Sequence, residues 1–127
     1  MWMVCFTNCG RVWWRHLTKP GFRHVFAMTY CTDHDVWTVF EWSRAGIDIY
    51  PASSAAVEYI LNAIERRGGE AWAIQHQGRG RRFPLGFVTC VSAVKHLIGI
   101  RSWAVTPHQL RSELSRRGAK RIVSSHD

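Results

Sequence analysis

The chain has no C-x-x-C pair. Its four cysteines, Cys5, Cys9, Cys31 and Cys90, are too sparse over 127 residues to form a disulfide framework. Cys5-x3-Cys9 offers two metal ligands but no second close pair, so neither a metal nor another cofactor is expected. No stretch reaches the ~18 continuous apolar residues of a membrane-spanning helix. The apolar opening from Met1 to Phe6 is too short for a signal peptide and follows no basic segment. These absences give the expectation of a cytoplasmic or virion-associated chain with reduced thiols. Acidic residues are scarce, nine against seventeen lysines and arginines, for a formal charge of +8. Zinc-finger spacing, an aromatic-basic RNA-binding pattern, a clear helix-turn-helix and internal repeats are all missing.

What is present is a globular composition, 46% hydrophobic with seven tryptophans. The length fits one domain, 1–127. It divides into an aromatic and basic N-terminal segment (1–20), a core (21–123) and a short tail (124–127). The positive charge is clustered. One group is Arg79, Arg81 and Arg82 in a Gly/Arg-rich loop. Another is Arg111, Arg116, Arg117, Lys120 and Arg121. Such surfaces attract nucleic acid or anionic polymers, and equally serve as solvated faces that aid solubility.

Along the chain, Met3 to Phe6 has strand character, and Lys19-Pro20-Gly21 marks a turn. Phe22 to Tyr30 alternates as a strand, with Phe22, His24, Phe26 and Met28 on one face. Cys31 to Asp35 is a polar turn. Val36 to Trp42 is a second strand, and Ile47 to Tyr50 a third that Pro51 ends. Ser53 or Ser54 caps a helix running to Arg67, which Gly68-Gly69 terminates. Ala71 to His76 reads as another strand. Thr106-Pro-His-Gln109 starts a further helix with a capping box, and Ala119 to Val123 is a last strand or tail. This order is an α+β domain with an antiparallel sheet and about three helices.

The stretch from Phe87 to Gly99 carries the chemistry. Thr89 is a good N-cap, Cys90 would open the helix, Val91, Val94, Leu97 and Ile98 make its apolar stripe, and Gly99 is a C-terminal stop. A thiol at a helix N-terminus is favoured as thiolate by the free N–H groups and the helix dipole. The same N–H groups can hold an oxyanion. The competing reading is a cysteine that only fills space.

A thiol nucleophile needs a histidine and a group to orient it. Of the seven histidines, His126 lies in the tail, His34 in a turn and His16 in the N-terminal segment. His96 and His108 fall on helices, and His76 ends a strand. His24 stands on an apolar strand face. With the following turn centred between Thr32 and Asp33, His24 lies opposite Glu41, the one acidic residue in an otherwise aromatic and β-branched run. A core histidine bonded to backbone, and a solvent-facing Glu41 or one paired with Arg23 or Arg44, are the alternatives.

Gly-Phe-Arg-His24-Val, Val-Phe-Glu41-Trp and Phe-Val-Thr-Cys90-Val-Ser-Ala-Val-Lys together resemble the circularly permuted branch of the papain-like, NlpC-type superfamily. That branch includes lecithin-retinol-acyltransferase-like proteins and small viral and phage members. The resemblance covers roughly residues 21–110, and Val-Thr-Pro-His-Gln-Leu after the cysteine helix is similar to small phage-encoded proteins. The chain departs from the pattern in its basic stretch before the cysteine and its Trp-rich N-terminus. The resemblance implies a permuted papain-like core and a thiol hydrolase, a peptidase or amidase, acting through an acyl-enzyme. Cys90 would be the nucleophile, His24 the base and Glu41 its orienting group. Gln75, at the close of the strand before the loop, is a candidate second oxyanion donor. The substrate would carry an amide or ester, in peptidoglycan or protein. The alternative is a non-enzymatic basic protein, binding nucleic acid or serving in a virion, with aromatics such as Trp13 or Trp14 stacking on bases.

Overall fold

The computed structural model describes residues 1–7, 24–43, 46–78 and 89–123. In chain order the elements are β1 (Trp2–Thr7), β2 (His24–Cys31), β3 (Val36–Ser43), β4 (Gly46–Ala52), α1 (Ser54–Arg66), β5 (Glu70–Ile74), α2 (Cys90–Ile98), α3 (Pro107–Arg116) and β6 (Lys120–Val123). The six strands form one antiparallel sheet in the order β4-β3-β2-β1-β5-β6. With three helices this is the α+β architecture expected from the pattern. Among the described residues no helix is long and apolar enough to cross a membrane. The Arg79–Arg82 loop, Trp13, Trp14 and Cys9 lie outside the described residues.

β1 is central, paired with β2 on one side and β5 on the other. The core therefore begins at Trp2 rather than at residue 21. Period-two alternation sends β1 side chains into two layers. Val4 and Phe6 join Val25, Ala27, Val91, Val94, Ile98, Leu110 and Leu114 beneath α2 and α3. Met3 and Cys5 join Phe26, Met28, Val39, Val57 and Ile64 beneath α1. Each fully buried chain of this size contributes roughly 1.5–3 kcal/mol, which makes this short strand a principal source of stability.

Local chemistry sets the element ends. The Ser53 side chain accepts from the Ala56 amide at the start of α1, and Thr106 and Gln109 form the reciprocal capping box of α3. Pro51 does not end β4; the strand continues through it to Ala52. A proline is compatible with that position because β4 is an edge strand with a row of unpaired backbone groups. β5 starts at Glu70 and stops at Ile74, leaving Gln75 and His76 exposed beyond it.

Glu70 is buried and fully partnered. It accepts from Trp72 Nε1 at 2.9 Å, Arg111 Nε at 3.0 Å and an Arg121 guanidinium nitrogen at 3.0 Å. The Arg111 guanidinium also sits 5.1 Å over the Trp72 ring. Arg116 and Arg117 pair with Glu113 at 2.6 and 2.7 Å. Four of the five basic side chains in the C-terminal cluster thus hold β5, α3 and β6 together or brace α3.

Candidate active site

The β2–β3 ladder runs from Cys31 opposite Val36 to Ala27 opposite Phe40. Beyond that pair, β2 continues on β1 as far as Thr7 opposite His24, and β3 continues on β4 as far as Ser43 opposite Gly46. The sheet forks there. The N-terminus of α2 meets the fork, and His24, Glu41 and Cys90 come together at it.

α2 starts as its sequence dictates. Thr89 is the N-cap in extended conformation, and its side chain accepts from the Ser92 amide at 3.1 Å. Gly99 ends the helix with φ 77°, the left-handed conformation glycine adopts without steric cost. Val91, Val94 and Ile98 are buried against the sheet, which turns the neighbouring stripe of Cys90, Ala93 and Leu97 to the side.

Cys90 is half-buried, and His24 lies near enough to act on its thiol. Burial opposes its ionisation. The imidazole, by hydrogen bond and charge, and the amides of Val25 and Val91, by hydrogen bonds, outweigh burial and hold the thiol below its ordinary range. Burial likewise disfavours charge on His24. Hydrogen bonds and charge from Cys90 and Glu41 overcome it and raise the imidazole to about 9. Its Nε2 lies 3.2 Å from Glu41 Oε1, with the histidine side chain 16% exposed and the carboxylate 37%. That engagement leaves Nδ1 for the thiol. The His24 bond lowers the Glu41 carboxyl against a smaller opposing effect of burial. Opposite shifts on thiol and imidazole favour a thiolate–imidazolium pair, which titrates as a unit.

The His24–Glu41 pairing arises from a different register than direct opposition. The ladder pairs Met28 with Val39 and Ala27 with Phe40, which aligns Glu41 with Phe26 by extension. The offset from His24 is two residues. Because side chains alternate with period two, the carboxylate keeps the face that direct opposition would have given it. It then reaches His24 diagonally across the fork.

The amides of the first α2 turn can be accounted for individually. Ser92 donates to Thr89 Oγ1 and Ala93 to the Thr89 carbonyl at 2.9 Å, while the Val91 amide helps to hold the Cys90 thiol below its ordinary range. Among the described residues the Cys90 amide has no recorded hydrogen-bond partner, and its place at the helix mouth suits it to an oxyanion. Gln75 cannot supply the second donor. It follows Ile74, which pairs with Trp2, whereas His24 pairs with Thr7 at the other end of β1, roughly 16 Å away along the strand. Its neighbours Gln77 and Gly78 pack at the far end of α2, where the Gln77 amide donates to the Ile98 carbonyl at 2.8 Å.

The Val25 amide is the site group that side-chain patterns do not reveal, since a backbone donor has no sequence signature. The other described cysteines differ in setting. Cys5 is fully buried, and burial pushes its thiol up. Among the described residues no cluster of three histidine, cysteine or acidic side chains is placed to hold a metal. No protein-family model matches the chain, and neither a curated protein nor a solved structure is significantly similar to it.

Proposed function

We propose that this chain is a thiol hydrolase, a peptidase or amidase related to the permuted papain-like, NlpC-type proteins, with Cys90 as nucleophile. One observation carries the reading: a helix-opening cysteine lies beside a strand histidine that favours its thiolate, and that histidine's Nε2 engages a carboxylate. Those are the parts an activated thiol requires.

The Cys90 thiolate attacks the carbonyl carbon of an amide or ester, in peptidoglycan or protein, and a C–S bond forms. The oxygen becomes an anion held by the Cys90 amide. As the intermediate collapses, the C–N or C–O bond breaks and the leaving group takes the proton from His24. Water then gives a proton to His24 and attacks the thioester; the C–S bond breaks, releasing acid and thiolate. Glu41 orients the imidazole and stabilises its charged form throughout.

The test is alkylation of Cys90 by iodoacetamide as a function of pH, read by mass spectrometry with Cys5 and Cys31 as internal references. Fast reaction of Cys90 well below pH 8, abolished in His24→Ala, supports the reading. A Cys90 no more reactive than its references overturns it and returns attention to the basic surface.

A further inference from the structure

The loop between α2 and α3 holds a tryptophan almost wholly in water. Trp103 is 98% exposed and Val105, two residues on, is 69% exposed, whereas Ile100 and Ala104 of the same loop are buried. The loop is nevertheless tied on both sides of the ring. Lys95 Nζ, reaching out from α2, donates to the Ser102 carbonyl at 2.9 Å and to the Ala104 carbonyl at 2.7 Å. The Ala104 amide donates to Ser102 Oγ at 3.0 Å, and the Val105 amide to Gln109 Oε1 at 2.9 Å. Burying so large a ring would stabilise the fold, so a pinned loop that turns it outward presents it in advance to something else.

Trp103 also borders an open cleft of about 380 Å³, which Arg101, Ser102, Gln109, Glu113 and Arg116 line with it. The cleft carries excess positive charge. Arg101 is exposed, and among the described residues its guanidinium pairs with no carboxylate. Glu113 is one carboxylate between two guanidinium groups, Arg116 at 2.6 Å and Arg117 at 2.7 Å. The Arg116 side chain is 75% exposed, so its pair contributes little and can be exchanged for another anion while Arg117 keeps Glu113 neutralised. Gln109 uses its oxygen on the Val105 and Thr106 amides, which leaves its Nε2 as a donor.

We propose that this cleft binds single-stranded nucleic acid, with one base stacked on Trp103 and the neighbouring phosphates paired with Arg101 and Arg116. A flat aromatic face beside cations is what such a strand requires, since every base has a π face and every linkage an anion. The chain as a whole, at +8, attracts the polyanion. A duplex keeps its bases stacked on one another and offers the ring no face. A bilayer would take Trp103 and Val105 as an apolar tip, but would make no use of donors set back in a cleft. The loop leaves α2 at the end opposite Cys90, and the proposal stands independently of the thiol-hydrolase reading.

The experiment titrates the full chain into labelled oligo-dT of about 12 nucleotides and reads fluorescence anisotropy at several salt concentrations. Trp103 and Arg101 are surface groups, so their replacement leaves the fold intact. Trp103→Ala is expected to weaken binding ~10-fold or more at every salt concentration, without changing the slope of log affinity against log salt. Trp103→Phe should recover most of the affinity. Arg101→Gln should reduce the slope by ~0.7, the counterion release at one single-strand phosphate. On the duplex with oligo-dA, Trp103→Ala should have little effect. Failure of the native chain to bind oligo-dT overturns the proposal. So does equal affinity of the native and Trp103→Ala chains, which marks general attraction to a polyanion. Trp103-dependent binding to phosphatidylserine vesicles, with no Trp103 effect on oligo-dT, overturns it in favour of a membrane tip. A slope that Arg101→Gln leaves unmoved removes Arg101 from the phosphate site. Iodoacetamide reactivity of Cys90 should be the same in all these variants, so this site and the thiol site stand or fall separately.

Discussion

The backbone amide of Val25 acts on the Cys90 thiol and helps to hold it below its ordinary range. An amide inside a strand points in the plane of its sheet, toward a neighbouring strand. Here Val25 is paired with Phe6 of β1, while the β2–β3 ladder has stopped at Ala27 and Phe40, which opens the sheet where α2 begins. The thiol is thus fixed between a helix mouth and a sheet fork, and its anion is held by elements that assemble only in the folded chain.

The pH dependence of turnover follows from two opposite shifts. His24, raised to about 9, carries its proton below that pH and loses it above. Cys90, lowered from the ordinary thiol range, is a thiolate above its depressed value. Turnover should therefore plateau between the two and fall as pH rises through about 9, where the leaving group loses its proton donor. Alkylation should not fall there, since it needs only the thiolate. Parallel pH profiles check this; an alkaline limb near the unperturbed histidine value would contradict the pairing. The raised imidazole also adds stability that is complete below about 6.5 and is lost as pH rises through about 9.

Glu41→Gln retains an amide oxygen of similar reach but removes the charge that helps hold the proton on His24. The imidazole should titrate at lower pH by NMR, and the alkaline limb of turnover should move down with it. Turnover should drop ~10-fold or more, a smaller loss than the ~100-fold or more expected when His24 itself is removed. An unmoved His24 titration would show that Glu41 is a bystander.

Gly99→Ala should destabilise more than Gly118→Ala. Both glycines have positive φ, 77° and 82°, so both replacements carry a backbone penalty of about 1 kcal/mol or more. Around Gly118 a new Cβ meets nothing, whereas at Gly99 it overlaps the Gly78 carbonyl. Denaturant midpoints of the two variants separate the contact from the conformational penalty; equal losses would argue against close packing at the end of α2.

Glu70→Ala should lower stability by about 3 kcal/mol or more, because it leaves the Trp72 indole N–H and two guanidinium groups without their shared acceptor. Thermal unfolding measures it. Glu113→Ala, which removes a carboxylate paired with two largely surface arginines, should lose far less.

The caps of α2 and α3 were legible because Thr89, Gly99 and the Thr106/Gln109 box are local signals that tertiary packing leaves intact. The His24–Glu41 pair was legible through period two, although the register was not. The turn occupies Thr32 to Asp35, with Asp35 at φ 48°, and so is longer than a turn centred on Thr32 and Asp33 allows. Two features were hidden. β1 reads as a short apolar stretch beside an aromatic segment, and only long-range pairing makes it central. Gln75 precedes the cysteine loop in sequence, but antiparallel pairing of β5 with β1 carries it to the far end of the sheet.

The place of sulfur at the fork has an electrostatic side. An anionic sulfur carries a charge that the nearby Val25 and Val91 amides favour, whereas a thioether or thioester sulfur carries none. Attaching any group to Cys90 therefore removes the charge that the start of α2 and the first residues of β2 face together, and removing the group restores it. The covalent state of one side chain sets the charge at the place where a helix meets its sheet.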